Sequence, residues 1–165
     1  MSLSSSPVAW ETCGNCMSRE VVTVDPNSSL LEAARLMREL QIGVLPVCQG
    51  TASLPRLLGV VTDRDIVVRV IAEDLHLESI KVGEVMSSPV IYCFSDESPW
   101  TALHLMEQHL IRRLPVVDRV NRRIVGMLSV SDLSRFQPER IPESPKWTEQ
   151  VLRVMSSQRS GVEQF

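Results

Sequence analysis

Short apolar runs alternate along the chain with stretches in which apolar residues recur every three or four positions. Residues 20–24 form a short β-branched run that predicts a strand, and Ser29-Leu-Leu-Glu32 has the spacing of a helix capping box. The apolar residues that follow predict one buried helical face: Leu30, Ala33, Ala34, Met37 and Leu40. Runs at 44–48 and 57–61 are typical of buried strands, and helical spacing resumes over 63–74. The order is strand, helix, strand, strand, helix.

This pattern occurs twice. A shift of 69 residues pairs Met17-Ser with Met86-Ser and Leu45-Pro-Val with Leu114-Pro-Val, and after a longer loop in the first copy a shift of 67 pairs Gly59 with Gly126. The second copy predicts a strand at 90–94, a helix from the N-cap Ser98 and Pro99 to His109, strands at 113–117 and 123–128, and a short last helix. Each copy has too small a core to be stable alone, so we expect the two to pack together.

The repeats suggest an N-terminal arm at 1–14, domains at 15–76 and 77–136, and a linker with a C-terminal helix at 137–165. Residues 137–144 are rich in proline and charge. Ser144 and Pro145 can then cap a helix that carries one apolar stripe: Trp147, Val151 and Val154. We expect this stripe to pack on its own module or across a dimer; the alternative is a docking helix for a partner protein.

Composition narrows the function classes. Hydrophobic residues make up 44% of the chain and charged residues 22%, with a net charge of −3, which is typical of a folded protein and leaves no basic field for nucleic acid. No apolar run is long enough to span a membrane and the first seven residues do not have the pattern of a signal peptide, so we expect a cytoplasmic protein. No nucleophile, phosphate-loop or paired-carboxylate motif is present, which argues against an enzyme.

The chain resembles the cystathionine-beta-synthase-type (CBS) domain family. The resemblance rests on Ile42-Gly-Val-Leu-Pro-Val and Ile111-Arg-Arg-Leu-Pro-Val, which are followed by Gly59-Val-Val-Thr-Asp-Arg-Asp65 and Gly126-Met-Leu-Ser-Val-Ser-Asp132. It implies an α/β (α+β) fold of two βαββα repeats related by a pseudo-twofold, a homodimer, and two clefts between the repeats. Such a pair, here of the stand-alone bacterial type, is implied to be a regulatory module that binds AMP, ADP, ATP or S-adenosylmethionine, needs no cofactor, and signals to a regulated protein.

Thr62-x-x-Asp65 and Ser129-x-x-Asp132 are the candidate ligand residues. Their spacing alone predicts helix capping boxes. Both also follow a strand end, where ligands gather in open α/β sheets, and the resemblance implies that the two carboxylates accept hydrogen bonds from ribose hydroxyls. The two roles are compatible.

The resemblance also implies that each cleft joins one acidic motif to the other repeat. The Asp65 cleft would be lined by Ile91, Tyr92, Arg112, Arg113, Leu114 and Pro115. The Asp132 cleft would be lined by Val22, Thr23, Gly43, Val44 and Pro46. Only the first has cations, so we expect a phosphorylated nucleotide to prefer it; the alternative is that both arginines belong to a solvated or ion-paired edge.

Cys13-Gly-Asn-Cys16 has the spacing of half a zinc site or of a redox pair. No second Cys-x-x-Cys exists, and Cys48 and Cys93 fall in predicted strands, where a cysteine is usually a small buried apolar group. Zinc or a thiol switch is therefore the minor hypothesis. It belongs to the alternative function, an interaction or metal/redox-responsive module with no nucleotide bound.

Overall fold

The computed structural model describes residues 12–51, 55–135 and 144–157. Its helices are α1 (Cys13–Cys16), α2 (Leu30–Leu40), α3 (Asp63–Ile66), α4 (Val82–Val85), α5 (Pro99–Gln108), α6 (Val130–Arg135) and α7 (Ser144–Ser156), and a π turn (Val67–Ile71) continues α3. Its strands are β1 (Val44–Gln49), β2 (Arg56–Thr62), β3 (Cys93–Phe94), β4 (Arg113–Val117) and β5 (Ile124–Ser129). This mixture of helices and strands confirms the predicted fold class.

The two long helices begin where the caps predict. At the start of α2 the Ser29 hydroxyl accepts from the Glu32 amide, and the Glu32 carboxylate accepts from the Ser29 amide. Pro99 is the first residue of α5, and the Ser98 hydroxyl accepts from the Trp100 amide. Of the predicted apolar face of α2, Leu30, Ala33 and Met37 are buried and Ala34 is half-buried. Leu40 is 44% exposed, so the prediction that the whole face is buried is wrong at the last turn.

The strands form two small sheets. β1 and β2 pair antiparallel, and the second sheet has the order β3-β4-β5, with β3 parallel to β4. The first strand of each repeat is shorter than predicted. Of residues 20–24 only Val24 pairs, with Val47, and the strand predicted at 90–94 is reduced to Cys93–Phe94.

Proline in the Leu-Pro-Val motif explains the shortening. Val24 donates to the Pro46 carbonyl and accepts from the Cys48 amide, so the next bond of a parallel ladder would need an N–H on Pro46. Proline has none. Pro115 occupies the same position next to β3, and the ladder ends there for the same reason.

The helix predicted at 63–74 is not a uniform α-helix. α3 has one turn, after which the backbone widens and the Ala72 amide donates to the Val67 carbonyl, five residues back, at 2.9 Å. Asp74 then takes a left-handed conformation with φ of 55° and ends the element.

The described chain divides into two compact units that differ from the two repeats. Unit 1 contains 12–21, Ile91–Asn121, 125–135 and α7; unit 2 contains Val22–Val90 and Arg122–Ile124. Each unit has its own apolar core. The core of unit 1 contains Leu103, Met106, Leu114 and Leu128, and that of unit 2 contains Leu30, Leu45 and Val61, among others.

The segment that leads into each repeat closes the core of the opposite repeat. In unit 1, Ser18 and Met127 exchange two backbone hydrogen bonds of 2.9 Å, and a side chain at Gly126 would collide with Met17. In unit 2, Ser87 and Val60 form the equivalent pair, and a Cβ at Gly59 would lie 2.9 Å from the Met86 sulfur. A Cβ at Gly126 or Gly59 would also lie 2.8 or 2.7 Å from the backbone carbonyl oxygen of Ser18 or Ser87, so close backbone packing requires glycine at both positions.

The C-terminal helix packs on its own unit. Trp147, Val151 and Val154 are buried in the core of unit 1, and the Trp147 ring meets that of Trp100 edge to face at 4.8 Å. The apolar stripe is thus used within the chain, as expected for the first of the two alternatives. The predicted linker at 137–143 lies outside the described residues. The predicted caps depend on the side chains of Ser144 and Pro145, which the structure does not describe.

Across the three described ranges, no helix combines the length and the apolar character that a membrane crossing requires.

Candidate functional site

Thr62 and Asp65 form a complete capping box where β2 runs into α3. Asp65 Oδ2 accepts from the Thr62 amide at 2.9 Å and from the Thr62 hydroxyl at 2.7 Å, while that hydroxyl accepts from the Asp65 amide at 3.1 Å. The arrangement holds the carboxylate at the end of a buried strand and the beginning of a helix, where backbone N–H groups favour negative charge. The capping role predicted from the spacing is confirmed.

Ser129 and Asp132 repeat this geometry where β5 runs into α6. Asp132 Oδ2 accepts from the Ser129 amide at 2.9 Å and from its hydroxyl at 2.5 Å, and the Asp132 amide donates to that hydroxyl at 3.1 Å. Each unit therefore holds one carboxylate by the same three bonds. In both, Oδ2 is used by the protein and Oδ1 is the oxygen that could serve a ligand.

The two carboxylates differ at Oδ1. Asp65 Oδ1 lies 3.4 Å from Arg69 Nε, one helical turn further on, and its side chain is only 12% exposed. Arg69 is held in turn by the Val85 carbonyl, which accepts from Nη1 at 2.7 Å. Asp132 Oδ1 has no hydrogen-bond or ion-pair partner within the described residues, and its side chain is half-buried. Asp132 is thus the carboxylate with an uncommitted acceptor.

Arg112 is engaged by the C-terminal helix. Its Nη2 donates to the Met155 carbonyl at the end of α7, at 2.8 Å, a position where the helix dipole favours a cation. Its own carbonyl accepts from the Val130 amide at 2.9 Å, which ties the entry of β4 to the start of α6. The predicted phosphate contact and this contact use the same guanidinium.

The other predicted residues of unit 1 are partly accessible. Arg113 is exposed, whereas Leu114 is fully buried in the core and Pro115 is buried, so the arginines are the accessible part of this turn. Ile91 and Tyr92 are half-buried, and the Tyr92 ring meets Phe94 edge to face at 5.4 Å.

The predicted residues of unit 2 surround the start of β1. Gly43 accepts from the Asp63 amide at 3.1 Å, and a Cβ there would lie 2.8 Å from an Asp63 carboxylate oxygen. Val44 pairs with Thr62 in the β1–β2 ladder, and Pro46 is buried. Val22 is exposed, and Thr23 lines a groove of ≈ 380 Å³ beside α2. The association of either carboxylate with residues of the other unit stays a prediction.

Cys13 and Cys93 are buried together in unit 1, whereas Cys16 is half-buried and Cys48 is buried in unit 2. The Cys13 thiol lies 3.5 Å from the Ser98 carbonyl, and its hydrogen bond with Cys93, together with burial, raises its pKa. Burial, aided by the nearby Cys13 and Asp132, raises the pKa of Cys16 to about 11. Burial also raises the pKa of Cys48 to about 11. Cys13, Cys16 and Cys48 are therefore protonated at neutral pH, unlike reactive cysteines.

The repeat itself indicates what the buried pair does. The 69-residue shift places Cys13 on Val82 and Cys93 on Val24, and both valines belong to the core of unit 2. The cysteines thus take the place of two core valines. A zinc site requires three or four ligands, and the described residues contain no group of three His, Cys, Asp or Glu side chains that could hold a metal ion. Among the described residues, Cys13 and Cys16 are therefore not grouped with a third side chain of this kind.

Comparison with known proteins agrees with this architecture. The family profile described as "CBS domain" matches residues 13–72 and 82–139. The CBS domain-containing protein YhcV of Bacillus subtilis is 39% identical over 118 residues, which are 72% of this chain and 79% of that protein.

Two solved structures are also similar. The crystal structure of Hypoxic Response Protein I with two coordinated zinc ions is 35% identical, with a TM-score of 0.67 and coverage of 75% of this chain and 97% of that one. The CBS domain pair of protein MJ0100, in complex with 5′-methylthioadenosine and S-adenosyl-L-methionine, is 28% identical, with a TM-score of 0.64 and coverage of 75% and 93%. With two tandem matches that span most of the chain, this protein belongs to the CBS domain family and is a CBS-domain pair.

Proposed function

We propose that this protein is a regulatory module that binds an adenosine-containing ligand through Asp65 and Asp132 and reports its presence to a partner protein. The observation that carries the proposal is the repeated capping box, which holds one carboxylate in each unit at the end of a strand. The similar MJ0100 pair, which binds 5′-methylthioadenosine and S-adenosylmethionine, supports the adenosine class of ligand.

The chemistry of the carboxylates suits a ribose diol. A carboxylate accepts hydrogen bonds and donates none, so it complements two neighbouring hydroxyls, and charge-assisted bonds of this kind are about twice as strong as neutral ones. Asp132 has Oδ1 available without any rearrangement among the described residues. At Asp65, the diol would share Oδ1 with Arg69, so we expect Asp132 to bind more tightly a ligand that lacks phosphate.

The module binds and signals; it does not catalyse. A bound ligand shifts the conformation of the module only if it binds one conformation better than another, and that difference in affinity limits the size of the response. We infer that the active form is a homodimer and that the regulated partner senses its arrangement.

Titration calorimetry with 5′-methylthioadenosine, S-adenosylmethionine, AMP and ATP tests the proposal. Asp132→Ala should weaken binding about 10- to 100-fold at its site, the value of one or two charge-assisted hydrogen bonds. 2′,3′-Dideoxyadenosine, which lacks the ribose diol, separates ribose recognition from helix capping. Asp132→Ala should weaken its binding only as far as the loss of the cap does. Ser129→Ala is the matched control: it removes the cap hydroxyl and keeps the carboxylate.

Two results would overturn the proposal. One is the absence of heat and of thermal stabilisation with every adenosine compound at millimolar concentration. The other is wild-type affinity in the variant that carries both Asp65→Ala and Asp132→Ala.

A zinc-responsive module is the second candidate, because the similar Hypoxic Response Protein I was solved with two coordinated zinc ions. Here it would need further ligands, since Cys13 and Cys93 are both buried and the described residues of the chain contain no group of three metal-binding side chains. Elemental analysis decides the matter: one zinc per chain in wild type, lost in Cys16→Ser, would favour zinc over the adenosine ligand.

A further inference from the structure

The last turn of α7 is held by a residue of the candidate ligand site. Arg112 Nη2 donates to the Met155 carbonyl at 2.8 Å. The neighbouring Arg153 and Val154 carbonyls accept from Ser157, the first through its amide at 2.9 Å and the second through its hydroxyl at 3.0 Å. Among the described residues, the Met155 carbonyl accepts from Arg112 alone. The guanidinium therefore caps the end of α7 from outside the helix.

The repeat fold does not need this guanidinium. In unit 1 the Arg112 carbonyl accepts from the Val130 amide at 2.9 Å, and in unit 2 the Gly43 carbonyl accepts from the Asp63 amide at 3.1 Å. The 69-residue shift places Gly43 on Arg112, so the same backbone contact forms with no side chain at this position. The contact of the Arg112 side chain with α7 is thus an addition specific to unit 1.

α7 also packs on the helix that carries Asp132. Leu133, the next residue of α6, is fully buried. It belongs to one cluster with the three buried residues of α7: Trp147, Val151 and Val154. α7 therefore contacts the helix that holds the carboxylate as well as the guanidinium.

A phosphate and the Met155 carbonyl would compete for the same guanidinium. Arginine binds a phosphate best through two parallel N–H bonds, and the contact with Met155 already uses Nη2. A phosphate also carries a full negative charge, whereas a carbonyl at a helix end carries a partial one. We propose that a phosphate bound by Arg112 releases the last turn of α7, so that the end of this helix reports a phosphorylated ligand and not adenosine alone. The inference rests on the proposed function and adds the element of unit 1 that changes when the ligand binds.

Thermodynamic linkage makes this coupling measurable in two directions. If phosphate loosens the end of α7, then loosening the end of α7 must strengthen phosphate binding by the same factor. A cation at the C-terminus of an exposed helix shifts an equilibrium by up to about fivefold. We therefore expect a change of about fivefold in each direction.

Hydrogen exchange of the full chain, followed by mass spectrometry, tests the first direction. Saturating AMP should speed exchange of the amides at 155–157 about fivefold, and saturating adenosine should leave their rates unchanged. In Arg112→Ala the same amides should exchange about fivefold faster without ligand, and AMP should cause no further change.

A proline at position 156 tests the reverse direction. It removes one amide of the last turn and disfavours the helical conformation of Met155, which withdraws the carbonyl from Arg112. Ser156→Pro should bind AMP about fivefold more tightly than wild type in titration calorimetry, with unchanged affinity for adenosine. Ser156→Ala is the matched control, because it keeps the amide and should bind both ligands as wild type does.

The outcomes separate this inference from the proposed function. Unchanged exchange at 155–157 while calorimetry shows that AMP is bound, or equal AMP affinity in Ser156→Pro and Ser156→Ala, would refute the coupling and leave ligand binding intact. Absence of heat with every adenosine compound would refute both.

Discussion

Removal of the Trp147 indole should loosen α7 from unit 1. Trp147 is 3% exposed, packs with Val151 and Val154, and meets Trp100 edge to face. Trp147→Ala removes the largest of the three buried side chains of the helix. The remaining two valines, the Arg112 contact at the last turn and the bonds of Gln150 and Arg153 to Glu107 would still hold α7.

The magnitude follows from the area that the indole buries. A buried aromatic side chain removes 150–250 Å² from water, worth about 4–6 kcal/mol at about 25 cal/mol per Å². Measured substitutions of this kind cost about 3–5 kcal/mol. Because α7 is a C-terminal helix, the loss cannot exceed the free energy of detaching it, so we expect about 3 kcal/mol. In this chain of 165 residues that lowers Tm by about 6–12 °C.

Urea unfolding followed by circular dichroism measures the loss, and hydrogen exchange shows whether α7 is the element that opens. Leu152→Ala is the control on the same helix, since Leu152 is 59% exposed and its removal should cost under about 0.5 kcal/mol. A double-mutant cycle with Trp100→Ala should give a coupling of about 1 kcal/mol. A loss below about 1 kcal/mol for Trp147→Ala, or equal losses for both helix variants, would refute the assignment of α7 to the core of unit 1.

Three further predictions follow from the site. Arg112→Ala should weaken AMP and ATP more than adenosine in calorimetry and should also speed exchange of the last amides of α7, because the guanidinium holds the Met155 carbonyl; equal losses for all three ligands would exclude a phosphate contact. Thr62→Ala and Ser129→Ala should each cost about 1 kcal/mol in urea unfolding as lost caps, and no loss in either would contradict the capping boxes. Cys16, with a pKa of about 11, should be alkylated slowly at pH 8, and its alkylation rate, followed by mass spectrometry, should rise about tenfold per pH unit below that pKa. Because the same thiol ionises at 9.0 in the unfolded chain, the free energy of unfolding should fall as the pH rises from about 9 towards 11.

Features set by neighbours in sequence could be predicted here. The capping boxes at Ser29, Thr62 and Ser129 and the proline start of α5 depend on residues at most three positions apart, and all are present in the structure. The same reasoning could have found the Arg69 ion pair, because Asp65 lies four residues before it on one helix.

Features set by distant parts of the chain could not be predicted. The contact of Arg112 with Met155 depends on where α7 lies against unit 1, and no local pattern encodes that position. The four-residue helices α1 and α4 are too short to show a period. The shortness of the first strands depends on both kinds of information. The sequence shows that Pro46 has no N–H, but this shortens a strand only where the strand pairs with Pro46, and the sequence does not show that pairing.

The exchange of leading segments sets the order in which the protein can mature on the ribosome. Ser18 leaves the exit tunnel early, yet Met127, its backbone partner, is made 109 residues later, a wait of about 5–20 s at bacterial or slower rates of translation. Unit 2, which is drawn almost wholly from Val22–Val90, can assemble meanwhile. The segment around Ser18 must therefore stay unpaired until Met127 emerges, and a break between the repeats would leave both units incomplete.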